Sequence, residues 1–235
     1  MSRAQPLDIA AAFRFLRELR ANNDRVWFER NRERYDTLLK PGFEDFITGL
    51  LIGAAKFDER FAHIEPRRCI FRIYRDVRFS KDKAPYKPRL SAFLSPRGWR
   101  GSTPGFYVAL EPGGESLIAA GIYVPEKPVL ADLRRRFAAG DPAFDRIVRS
   151  KRFAPYLPLD TDPLVRVPPG FDRDHPRGDL IRARRCMVRR AFTDTELARG
   201  DAFGFFGSAM RDTAPFVRWL DVSAAAAGPP STDEE

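Results

Sequence analysis

The chain has 235 residues, 43% hydrophobic and 31% charged, with 41 Lys/Arg against 32 Asp/Glu and a net charge of +9. That composition predicts a globular protein with a substantial core, and no run approaches the ~18–20 apolar residues of a membrane helix. Cys69 and Cys186 are too few for a disulfide framework, so free thiols in a reducing cytoplasmic setting are the expectation.

Ile9, Ala12, Phe13, Leu16 and Leu19 recur at three- and four-residue spacing and predict an amphipathic helix. The segment around them lacks a long apolar stretch, so it reads as this helix and not as a signal peptide. Residues 21–57 predict two more helices. Asn23 or Asp24 can cap the first, and Lys40-Pro41-Gly42 is expected to separate the two, since proline suits a first turn and not an interior.

Four short β-prone stretches follow at 68–74, 88–95, 105–111 and 116–124, divided by Gly, Pro and Ser clusters. Residues 95–105 and 111–116 read as hairpin loops, so an antiparallel meander is expected. Helices are expected at 126–139 and 141–150, and a proline-rich loop over 156–170 with a strand at 165–167. A short helix near 176–184, a strand at 186–192 and a helix over 194–220 complete the chain. The fold class is therefore α+β, a single domain over 1–222 with an antiparallel sheet of four or more strands packed by N-terminal and C-terminal helices. Residues 223–235, "SAAAAGPPSTDEE", are expected to be a flexible tail.

The charge is unevenly spread. Residues 72–89 hold seven Arg/Lys and two Asp, and residues 177–190 hold six Arg and one Asp. Each run is +5, so everything else sums to −1. Such clustering favours an anionic partner, phosphate or nucleic acid, over a uniformly basic surface. In "FRIYRDVRFSKDKAPYK", residues 71–87, an extended backbone would turn Phe71, Ile73, Val77 and Phe79 to one side and Arg72, Tyr74, Asp76 and Arg78 to the other. Lys81, Lys83, Tyr86 and Lys87 follow closely. Asp76 and Asp82 neutralise only two of these cations, and a planar guanidinium fork suits phosphate.

The run Arg72, Arg75-Asp76, Arg78-Phe79, Asp82-Lys83 and Tyr86 resembles the signature of a widespread bacterial family with fungal members, a conserved domain of unknown function. The segments "NNDRVWFERNRERYDTLLKPGFEDF", "GFYVALEPGGESLIAAGIYVPEKPVLADLR" and "PPGFDRDHPRGDLIRARRCMV" resemble its other blocks, so the likeness spans roughly 10–220. In the last block this chain carries Arg184 where the resemblance leads one to expect a lysine. The resemblance implies no established activity.

The expected ligand-binding residues are Arg72, Arg75, Asp76, Arg78, Asp82, Lys83, Tyr86 and Arg184. Asp76, Tyr86 and His175 are the candidates for acid–base chemistry. Asn31 and Arg25 could close over the charged stretch, although Trp27, Asn31 and Tyr35 also share one helix face that would simply pack. His63 and His175 with two distant cysteines do not suggest zinc, and no phosphate-loop or dinucleotide motif is present, so no metal and no cofactor are expected. Three readings remain open: a site for a phosphorylated ligand or nucleic acid at 72–87; an enzyme acting on a phosphorylated substrate; and a buried ion-pair network with no ligand. No membrane partner is expected.

Overall fold

The structure, a computed structural model, describes residues 7–78, 80–98 and 102–226. It is α+β: helices flank a four-stranded antiparallel sheet of order β1-β2-β3-β4, with β1 at Leu90–Leu94, β2 at Gly105–Leu110, β3 at Ser116–Ile122 and β4 at Cys186–Phe192. The chain resolves into two compact units, each built from three separate stretches. Unit 1 takes 1–94, 107–118 and 191–208; unit 2 takes 95–106, 119–190 and 209–235. Strands β2, β3 and β4 contribute residues to both.

In unit 1, helix α1 (Ile9–Ala21) starts at Asp8, whose carboxylate accepts the Ala11 N–H, and buries Phe13, Phe15, Leu16 and Leu19. Helix α2 (Arg25–Arg34) is capped by Asp24, which accepts from the Trp27 N–H. The expected break at Lys40-Pro41-Gly42 does not occur. A π-helical turn at Tyr35–Leu39 carries α2 directly into α3 (Lys40–Ala55), with Pro41 just inside α3 beside the turn where the winding changes. Gly42, Phe43, Ile47 and Leu50 of α3 are buried.

The expected strand at 68–74 is also corrected. A single helical turn, α4 (Pro66–Cys69), is followed by isolated bridges, Ile70 to Ala92 and Tyr74 to Tyr86. Phe71 N–H donates to Ser91 O, so this segment lies along β1, the outer strand of the sheet and covers part of an edge that would otherwise be open. At 111–116 the expected tight loop is present. Gly113 and Gly114 adopt φ of +97° and +76°, and both N–H groups donate to Asp194, the first residue of α8 (Asp194–Arg199).

In unit 2, α5 (Lys127–Ala139) ends at Gly140 in the left-handed conformation, and α6 (Pro142–Val148) begins at Asp141. Residues 165–167 do not form the expected strand. Asp160 bridges Met187 of β4 instead, exchanging both backbone hydrogen bonds at 2.7 and 3.1 Å. The short helix α7 spans Gly178–Ile181, so Pro176 precedes it. The helix expected over 194–220 is interrupted at Gly200-Asp201: Asp201 accepts from the Gly204 N–H and restarts it as α9 (Ala202–Ala226), which belongs to both units. Helix α9 runs four residues into the expected tail because alanine favours helix and buried Ser223 accepts a hydrogen bond from Arg136 at 2.8 Å. The unit 2 core centres on Phe137, Phe144, Phe216 and Trp219, with Phe144 and Trp219 ring centres 4.9 Å apart.

Among the described residues, no helix is long and apolar enough to cross a membrane.

Candidate anion site

The 70–75 and 85–87 segments form a narrow antiparallel ribbon. Arg75 N–H donates to Pro85 O at 2.8 Å and Lys87 N–H to Ile73 O at 2.7 Å, enclosing the Tyr74–Tyr86 pair. The Asn23 side-chain amide clasps the outside of Tyr86, donating to its carbonyl and accepting from its N–H, each at 3.0 Å. Tyr86 stacks on Phe28 of α2 with ring centres 4.1 Å apart. The loop between the two arms is tied by Lys83 Nζ, which donates to Val77 O at 3.0 Å.

Exposure alternates along the ribbon as the extended reading requires. Ile73 is buried; Phe71 and Val77 are half-buried; Arg72, Tyr74, Asp76 and Arg78 are exposed. Phe79, expected in the core, lies outside the described residues. Arg72, Tyr74, Asp76 and Arg78 are all exposed, and of these Arg72 and Tyr74 lie within the bridged ribbon.

The carboxylates of the signature are spent on their neighbours. Asp76 accepts from the Arg78 guanidinium, at 2.7 Å, and from the Arg78 N–H. Those two bonds, side chain first, lower its pKa to about 2, and the charges of Arg78 and Arg72 add to this. Asp82 accepts from the Ala84 N–H and from Arg75 at 2.5 Å, which also lowers its pKa. Both pairs face water: the Asp76 side chain is 43% exposed and that of Asp82 66%. They are surface pairs, not the buried network considered above.

That leaves Arg72, Lys81, Lys83 and Lys87 with no carboxylate partner among the described residues. Lys87 is the most constrained. Its ammonium lies over the Phe71 ring, with Nζ 5.6 Å from the ring centre, and donates to Arg72 O at 3.2 Å. Burial first, then the like charges of Arg89, Arg72 and Arg75, push its pKa below the ordinary lysine value. The sequence brings Lys87 to the end of the charged stretch but does not single it out as a ligand-binding residue, and it counts Arg89 only in the basic run. The missing signal was the pairing of residue 73 with residue 87, which only the folded ribbon displays.

The acid–base candidates fare differently. A carboxyl with its pKa near 2 is ionised at neutral pH, so Asp76 has no proton to give as a general acid. Tyr86 is buried, which raises its pKa, and serves as a packing ring. His175 lies in unit 2, where its Nδ1 accepts the Arg177 N–H at 3.0 Å just before α7. Arg184 also lies in unit 2 and pairs with Asp162 at 2.8 Å. The second basic run is in fact largely neutralised: Arg177 pairs with Asp145, Arg182 with Asp179 and Arg185 with Asp160. Asn31 is held within its own helix, donating to Trp27 O and accepting from Arg34. Among the described residues, no group of three or more His, Cys, Asp or Glu could hold a metal ion.

No curated protein and no solved structure matches this chain. A family profile described as a conserved hypothetical protein matches residues 11–219, a span that includes the ribbon and all its partners. The chain belongs to that family, the conserved hypothetical proteins DUF2461.

Proposed function

We propose that the protein binds a phosphate-bearing anion on the 72–87 ribbon, with Arg72 and Lys87 as its principal contacts. One observation carries this reading. The two basic runs of the sequence, 72–89 and 177–190, are equal in net charge, yet four of the six arginines at 177–190 pair with aspartates, whereas four of the seven cations at 72–89, namely Arg72, Lys81, Lys83 and Lys87, have no carboxylate partner among the described residues. Cations held together without counter-charge repel one another, and a bound anion removes that cost. Two contacts favour the placement of Lys87 at this point: its ammonium lies over the Phe71 ring and donates to the Arg72 carbonyl.

The test is thermal unfolding at constant ionic strength with chloride replaced by inorganic phosphate at ~10 mM. The wild type gains several degrees in Tm, since a ligand at many times its Kd stabilises the folded state. Lys87→Met, which keeps an unbranched side chain and removes the charge, and Arg72→Gln each lose most of that gain. An equal response in wild type and both variants, or none in the wild type, would overturn the reading.

A further inference from the structure

We infer that the anion taken by this ribbon is the backbone of single-stranded nucleic acid, with Tyr74 as the ring on which a base stacks. The inference rests on the proposed anion site and adds to it the class of ligand.

Tyr74 stands two residues from Arg72, a separation of roughly 6–7 Å along an extended chain. The residue is 41% exposed, yet it is not loose. The edge of Phe28 meets it at 6.1 Å between centres and 65° between planes, and Tyr86 supports it at 5.3 Å. Its hydroxyl accepts a hydrogen bond from Arg32 of α2 at 3.3 Å. An aromatic side chain held by two neighbouring rings and still partly exposed costs little entropy to use as a platform. Inorganic phosphate would have no use for it. A nucleotide would, because its base offers a flat apolar face one sugar away from the phosphate.

The layout further favours a strand over a single nucleotide. The cations lie along an exposed ribbon, and solvent screening leaves each such contact weak. Weak contacts become useful when a polymer repeats them, and Arg72, Lys81 and Lys83 offer three such contacts within one short stretch of chain. Stacking on an aromatic side chain beside backbone-tracking cations is the common arrangement for sequence-tolerant single-strand binding.

The experiment compares a fluorescent 12-residue oligothymidylate with an abasic strand of the same length and charge on the full chain, across a series of salt concentrations. The base-bearing strand is expected to bind about tenfold tighter at each salt concentration. Both should weaken as salt rises, and Arg72→Gln should flatten that dependence by about one counterion. Tyr74→Leu should erase the difference between the strands, and Tyr74→Phe should preserve it. Equal affinity of the two strands for the wild type would overturn the nucleic-acid inference while leaving phosphate stabilisation, and with it the anion site, intact. Thymidine monophosphate binding as tightly as the 12-mer would also overturn it. If Tyr74→Leu does not fold, crosslinking of a 4-thiothymidine strand to the wild type decides the matter: adducts within 72–78 support the inference and adducts confined elsewhere reject it.

Discussion

Asn23 and Tyr86 are joined by two hydrogen bonds of 3.0 Å, the amide of one side chain serving both backbone groups of the other residue. A side chain from the turn before α2 thus does for the ribbon what a further strand would do. It fixes the arm that carries Lys87.

Asn23→Ala leaves the Tyr86 N–H and carbonyl, both in a part-buried setting, without partners. The expected loss is about 1–3 kcal/mol in urea unfolding. Asn23→Asp keeps the acceptor, loses the donor and sets a carboxylate against a carbonyl, so it should fall in the same range. Phosphate stabilisation should weaken in both. A loss within the error of the extrapolation would mean the clasp is dispensable.

Gly121 sits inside β3 with φ of +137°, and a Cβ there would lie 2.2 Å from the Cys186 carbonyl oxygen of β4. Backbone cannot yield as a flexible side chain can. Gly121→Ala is expected to cost at least ~2 kcal/mol, combining the strained φ with the forced separation of two strands. Wild-type stability in this variant would contradict the close approach.

Much of this was legible in the sequence because it rests on local patterns. The 3- and 4-residue spacing of Phe13, Leu16 and Leu19 and the strand chemistry of 186–192 gave the α+β class. The failures have specific causes. Lys40-Pro41-Gly42 looks like a break, but the π turn at Tyr35–Leu39 carries the helix into it without interruption. The 68–74 strand failed because Pro66 starts a helical turn there and the bridges that follow are isolated. At the site, residue alternation marked Arg72, Tyr74, Asp76 and Arg78 as the exposed residues. It could not show which cations find carboxylates, since Arg177 with Asp145 and Arg185 with Asp160 are partners distant in sequence.

Asp76 faces water beside Arg78, so its removal should be nearly silent for stability. Asp76→Asn is expected to melt within a couple of degrees of the wild type. It should bind phosphate more tightly, because the Asp76 carboxylate no longer repels an anion there. A collapse in Tm would restore the structural reading of the signature.

Asp141 gives the pH dependence. Burial would raise its pKa, but hydrogen bonds from Trp219 Nε1 and Arg136, each at 2.9 Å, and from the Ala143 N–H at 2.8 Å outweigh it, and the net shift is downward. A carboxyl lowered on folding contributes stability that is present above its unfolded pKa and is lost as pH falls through the folded one. Wild-type stability should therefore decline below about pH 4. Asp141→Asn should be less stable at pH 7 and lose less on acidification. Parallel pH profiles for the two proteins would contradict this role.

The anion site is tested most directly by the titration of Lys87 itself, followed through its side-chain NMR signal and assigned by comparison with Lys87→Met. Without phosphate its pKa should lie below the ordinary lysine value, held down by burial and by Arg89, Arg72 and Arg75. With saturating inorganic phosphate at the same ionic strength it should rise, because the bound anion favours the charged form. A Lys87 that titrates at the same pH with and without phosphate would contradict an anion site on this ribbon.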